Sequence, residues 1–82
     1  MAVATVGTSV VELVFGRGKI PVIQNLHATN NLYFGDGPDI TTADGIQIAP
    51  GIAWNSPAPL TSSKVIYVIA DAAATDVRFD GF

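Results

Sequence analysis

The chain has 82 residues, enough for one small domain with a thin core, because a chain of this size buries only about 60% of the surface that it exposes when unfolded. Hydrophobic residues make up 49% of it and charged residues 13%, which excludes a disordered chain. The net charge is −3 and its four Lys and Arg residues are scattered, which excludes the basic stripe of a nucleic-acid-binding face.

Cysteine is absent, so disulfides, thiolate nucleophiles and zinc–thiolate sites are excluded together. The apolar runs are far shorter than the 18 or more residues of a membrane helix, and we expect no membrane segment. Small domains without disulfides or a metal often gain stability by oligomerising. We therefore expect self-association.

Apolar residues recur with a period near two, which predicts an all-β chain of six to eight short strands in a small antiparallel sandwich or barrel. The first clear strand spans residues 9–15, with Leu13 and Phe15 on one face and Glu12 on the other. A glycine-rich hairpin turn at 16–18 leads to a strand over 19–27, which Pro21 marks as a strand start or an edge. The asparagine cluster at 28–31 predicts a hairpin into a strand at 32–34.

Breaker residues make 35–45 a loop, in which residues 41–45 form one helical turn closed by Gly45 at positive φ. A strand over 46–49 and a type II turn at Pro50 and Gly51 follow. After this turn the chain changes direction at residues 52–54. The prolines within residues 55–59 then predict an extended connecting segment.

The strand over residues 64–70 is apolar on both faces, so we expect cover on both sides. It should form a final hairpin with the strand at 76–80, whose Val77 and Phe79 point inward. Residues 9–82 are thus one sandwich domain. Residues 1–8 are either its first strand or an arm that orders against a neighbour, with Val3 and Val6 as candidate contacts.

No side chains form a recognisable catalytic setting around His27, which is the one histidine, so we expect neither an enzyme nor a cofactor. Asp36, Asp39 and Asp44 lie in the 35–45 loop, where oxygen ligands suit calcium. Their spacing fits no EF-hand, and we expect them to cap turns rather than bind a metal. An ion in this loop stays an open alternative.

Aromatic residues are candidates for an interface or for core packing. Trp54 adjoins the proline connector, Tyr33 lies in the fourth predicted strand, and Phe82 follows the last one. We take these three, together with Val3 and Val6, as the candidate interface residues.

Gln24-Asn25, Tyr33-Phe34-Gly35 and Ala49-Pro50-Gly51 occur in this order along the chain. In these and other short stretches the sequence resembles small all-β structural proteins of tailed-bacteriophage virions. The similarity covers about residues 20–80. It is interrupted at residues 52–60, which replace a strand-forming acidic segment of that family. The resemblance implies a non-enzymatic β-sandwich placed on a virion as a head decoration, minor capsid or fibre-associated subunit. Of these we expect a decoration or minor capsid subunit, a homotrimer on the outer surface of the head, that binds the major capsid protein and stabilises the capsid.

A second class of function stays open on the residues alone. Trp54, Tyr33 and the 35–45 loop would form a glycan-binding platform if their aromatic rings shared one exposed surface. The chain would then be a tail-fibre or baseplate module that binds host-surface glycans.

Overall fold

A computed structural model describes residues 2–82. These residues contain no helix, and therefore none that is long and apolar enough to cross a membrane. They form eight strands: β1 (Ala2–Val6), β2 (Val11–Phe15), β3 (Pro21–Asn25), β4 (Leu32–Gly35), β5 (Ile46–Ile48), β6 (Ala53–Asn55), β7 (Lys64–Ala70) and β8 (Thr75–Gly81).

The strands form two antiparallel sheets that pack face to face as a small β-sandwich, which confirms the predicted fold class. Sheet A has the strand order β1-β8-β3-β6, and sheet B has the order β2-β7-β4-β5. Residues 2–6, which the sequence left as a strand or an arm, lie on the edge of sheet A and pair with β8.

The core lies between the sheets because alternate side chains of each strand point inward. Leu13 and Phe15 of β2 are buried as predicted, and Val77 of β8 is fully buried. The Phe15 and Phe79 rings meet edge to face across the two sheets, with centroids 6.1 Å apart. The buried hydrophobic residues that form the central cluster are Val6, Leu13, Phe15, Ile23, Leu32, Phe34, Ile48, Ile66, Val68, Ala70 and Val77.

The predicted hairpins at residues 16–18, 28–31 and 71–75 are wrong. Each of these connections carries the chain from one sheet to the other, and within residues 2–82 only β4 and β5 are consecutive strands of the same sheet. The period-two pattern determines which face of a strand is buried, but it does not identify the strand that pairs with it. Sequential strands therefore pack across the core instead of pairing side by side.

Two glycine positions show why the loops have their shapes. Gly51 has a φ of 76°, and Ile52 N–H donates to the Ala49 carbonyl at 3.1 Å, which confirms the predicted turn. The helical turn is also present, since Gly45 N–H donates to the Thr41 carbonyl at 3.0 Å, but Gly45 does not have the predicted positive φ. Glycine is needed there because a Cβ would lie 2.8 Å from the Cβ of Tyr33.

Asn25 connects several crossovers at one end of the sandwich, where its side chain is fully buried. Its amide group donates to the carbonyls of Asn30 (2.8 Å) and Ile48 (3.1 Å), and its side-chain oxygen accepts from His27 N–H at 3.0 Å. The Asn30 side chain in turn donates to the buried Thr75 hydroxyl at 3.0 Å. One side chain thus joins the end of β3, the 26–31 connection and the end of β5.

We expect Asn25→Ala to lower the free energy of unfolding by about 3 kcal/mol, because it removes three hydrogen bonds and leaves their partners in or near the core unpaired. Urea unfolding monitored by circular dichroism measures this change. Asn55→Ala is the control, since Asn55 is exposed and donates only to the adjacent Ser56 carbonyl. Equal stability losses in the two variants would contradict the role assigned to Asn25.

Candidate interaction surfaces

The outer face of sheet B is apolar along its two central strands. Cross-strand registry places Val14 beside Val65 and Tyr33 beside Ile69, with Tyr67 on the same face of β7. We call these five residues the apolar face. Polar residues on this side of the sheet, Glu12 and Gln47, lie on the edge strands β2 and β5.

The outer face of sheet A has the opposite character. The outward-pointing residues of its two central strands are Asp76, Arg78 and Asp80 on β8 and Val22 and Gln24 on β3, so four of the five are polar. An antiparallel sheet with one solvated face normally shows this apolar-in, polar-out alternation. Sheet A follows that rule and sheet B does not.

The two apolar faces predicted for β7 are therefore present, and the expected cover is complete on the inner side but partial on the outer side. Ile66 and Val68 point into the core. On the outer side, Ile69 is only 9% exposed, whereas Val65 and Tyr67 are half-buried. No third sheet or helix within residues 2–82 covers the outer side. Val14 completes the face at the edge of sheet B and is 65% exposed.

The free edge of β1 is a second exposed surface. Its five residues carry no charge and no proline, although natural edge strands are usually protected by such residues. Val3 points outward and is 62% exposed, as a contact residue must be. Val6 is fully buried in the core, so its prediction as a contact residue does not fit this fold.

Phe82 lies far from the apolar face. Its backbone N–H donates to the Ile20 carbonyl at 2.9 Å, and its ring, 65% exposed, borders a shallow hollow on sheet A with Val22 and Arg78. Phe82 and Tyr33 are therefore on opposite sides of the sandwich.

A cleft of about 480 Å³ opens between the sheets at the end where β4 finishes and β7 begins. The Trp54 and Phe34 rings contact each other in it, with centroids 4.5 Å apart and planes inclined by 42°. Lys64 Nζ pairs with Asp36 Oδ1 at 3.0 Å on its border. The cleft is lined by Pro21, Phe34, Gly35, Asp36, Ile40, Asp44, Ile46, Trp54, Ser56, Leu60, Lys64 and Ile66.

The cleft is open because β5 and β6, the edge strands on this side, are only three residues long. The turn at Pro50 and Gly51 joins them at the opposite end of the sandwich. Ile46 pairs with the inward-facing Phe34, yet it is 61% exposed because no side chain fills the space in front of it. The cleft therefore exposes an apolar side chain that would belong to the core of a closed sandwich.

The 35–45 loop that borders the cleft is ordered by Asp44. Its Oδ1 accepts from Thr41 N–H at 2.6 Å and from the Thr41 hydroxyl at 3.0 Å, which confirms the predicted turn-capping role for this aspartate. Asp36 instead pairs with Lys64. Within residues 2–82, no three His, Asp or Glu side chains are grouped so as to hold a metal ion.

The predicted interface residues thus do not form one site. Trp54 lines the cleft, Tyr33 lies on the apolar face, Val3 on the β1 edge and Phe82 against sheet A. Sequence reasoning missed Val14 and Tyr67, although the two-faced pattern of β7 was a signal for Tyr67. It had no signal for Ile46, whose exposure depends on how the sheets diverge.

The chain matches no protein-family model, and searches of curated proteins and of solved structures find no match either. The similarity to phage structural proteins therefore depends on the short motifs of the sequence alone.

The Thr41 backbone N–H, and then the Thr41 hydroxyl, lower the pKa of Asp44 below its ordinary value of 3.8. Since the folded-state pKa is the lower one, the cap stabilises the loop above the unfolded-state pKa, and this stabilisation is lost as the pH falls through the folded-state pKa. We expect the Thr41 amide NMR signal to titrate with a midpoint below 3.8.

Thr41→Val removes the hydroxyl donor and keeps the N–H, so the midpoint should move part of the way back up. Asp44→Ala should abolish the transition. A midpoint that is the same in Thr41→Val as in the original chain would contradict a contribution from the hydroxyl.

Proposed function

We propose that this protein is a non-enzymatic structural subunit of a tailed-phage virion: a capsid decoration or minor capsid protein that binds the major capsid protein on the outer surface of the head. The virion assignment is supported by the ordered sequence motifs. The structural observation that supports a role in assembly is the apolar face of sheet B.

An apolar sheet face without a covering layer favours burial against another protein. On this face Val14 is 65% exposed, Val65, Tyr67 and Tyr33 are half-buried and Ile69 is already buried, whereas the outer side of sheet A carries three charged residues on its central strand β8. Burying the apolar face would add to the hydrophobic area that a thin core provides. We propose that copies of the chain associate through this face, as a homotrimer.

The polar outer face of sheet A would then remain in contact with solvent. A decoration subunit occupies many equivalent positions on a capsid, so each contact with the lattice need not be strong, because several linked contacts raise the overall avidity. The uncharged edge of β1 is a second surface, which we assign to contact with the capsid lattice through Val3 and not to self-association.

The alternative function, a glycan-binding tail-fibre or baseplate module, has weaker support. Its platform requires Trp54 and Tyr33 on one surface, but Trp54 points between the sheets and Tyr33 points to the outer side of sheet B. Trp54 is also only partly exposed and packs against Phe34. The 35–45 loop contacts both regions without bringing the two rings together.

Two valines provide a matched test of the proposed interface. Val14 on the apolar face and Val3 on the β1 edge are 65% and 62% exposed, so replacing either with lysine should have a similar, small effect on the folded single chain. We expect Val14→Lys to convert the oligomer to monomer and Val3→Lys to leave its mass unchanged, as measured by size-exclusion chromatography with light scattering.

If Val3→Lys dissociates the oligomer and Val14→Lys does not, the surface of self-association is the β1 edge and not the apolar face. If the unsubstituted chain is monomeric at every concentration measured, the homotrimer proposal is wrong.

The virion assignment has its own test. We expect mass spectrometry of density-gradient-purified phage particles from the source of this sequence to detect the chain at a copy number comparable to that of the major capsid protein. Washing the particles with a denaturant too mild to open the capsid should release it, because a decoration protein lies on the outside. Detection of the chain only in the particle-free fraction would refute this assignment.

A further inference from the structure

We propose that the cleft beside Trp54 binds an extended peptide segment of a partner protein, with a large apolar side chain inserted between the sheets and a basic residue next to it. This inference is independent of the virion assignment, since it concerns a different surface from the apolar face. It follows from the apolar lining, the charges at the border and the free strand edges.

The lining of the cleft suits an apolar side chain. Ile46 points inward but is 61% exposed, and the Trp54 and Phe34 rings contact each other nearby. The volume of about 480 Å³ lies within the range typical of ligand sites, which are lined mainly by apolar and aromatic groups. Filling this space would complete the core at the end where the sandwich is open.

The charges at the border favour a cationic neighbour for that side chain. Lys64 is paired with Asp36 at 3.0 Å, whereas Asp44 lies at the cleft with the backbone and hydroxyl of Thr41 as its hydrogen-bond donors. Counting Asp36, Asp44 and Lys64, the border has a net charge of −1. A Lys or Arg next to the apolar anchor would complement it.

The strand edges favour an extended backbone over a small molecule. The cleft lies between β5 and β6, and each is the outermost strand of its sheet on that side. A peptide can pair its backbone with such an edge while alternate side chains enter the space between the sheets. Because β5 and β6 are both short, they leave space between the sheets for an added peptide strand.

The probe for this proposal is an end-capped hexapeptide, Gly-Gly-Phe-Lys-Gly-Gly, with two matched versions in which Ala replaces Phe or Glu replaces Lys. Trp54 is the one tryptophan of the chain and the peptides have none, so its fluorescence reports binding at the cleft directly. We expect saturable binding of the Phe-Lys peptide, and binding about tenfold weaker or undetectable for each matched version.

Three variants of the chain locate the binding site. Ile46→Ser should weaken Phe-Lys binding about tenfold, whereas Ile52→Ser, at a 55% exposed isoleucine outside the cleft, should leave it unchanged. Asp44→Asn keeps an oxygen that can cap Thr41 but removes the charge. It should reduce the preference for Lys over Glu without abolishing the preference for Phe over Ala.

Several outcomes would overturn the proposal. Equal binding of the three peptides, or equal effects of Ile46→Ser and Ile52→Ser, would show that the cleft does not select this chemistry. Perturbation of Trp54 by chitotriose or maltotriose but by no peptide would identify a glycan site instead. NMR signals of Ile46 that shift with protein concentration alone would identify a second copy of the chain as the occupant.

Discussion

The sandwich depends on a buried polar residue as much as on its hydrophobic core. Asn25 satisfies the backbone of three segments with one side chain, because a primary amide offers two donors and an acceptor at nearly fixed angles. Its own backbone also bonds with Gly51 and Ile52 of the β5–β6 turn. Without such a residue, the crossovers at this end would leave backbone groups unpaired in a site that water does not reach.

The same constraint explains why the two ends of the molecule differ. The Asn25 end is closed by hydrogen bonds and a tight turn, so the end of β5 lies close to the start of β6 there. At the other end, the part of the chain that the structure describes has no buried polar side chain that joins the sheets, and short edge strands leave the cleft between Ile46 and Trp54. The proposed peptide site thus lies at the end where no such hydrogen bonds close the sandwich.

Particular elements show how far the sequence could be interpreted. The 64–70 strand is predicted with its bounds and its two apolar faces, because residues 65–69 are five consecutive residues of high β propensity. The three hairpins were wrong, since polar turn residues indicate a change of direction without indicating the sheet that the chain enters next. The prediction of one platform for Tyr33 and Trp54 does not fit the fold, since Tyr33 on β4 points to the outer side of sheet B and Trp54 on β6 of sheet A points between the sheets.

The sequence by itself determined the all-β class, most strand positions and the inward residues such as Leu13, Phe15 and Val77, because the period-two alternation is a local property of the chain. Only the tertiary structure decided which strands pair, that the outer side of β7 is only partly covered and that Ile46 borders an open cleft. Those features depend on contacts between residues far apart in sequence, and no local pattern encodes them.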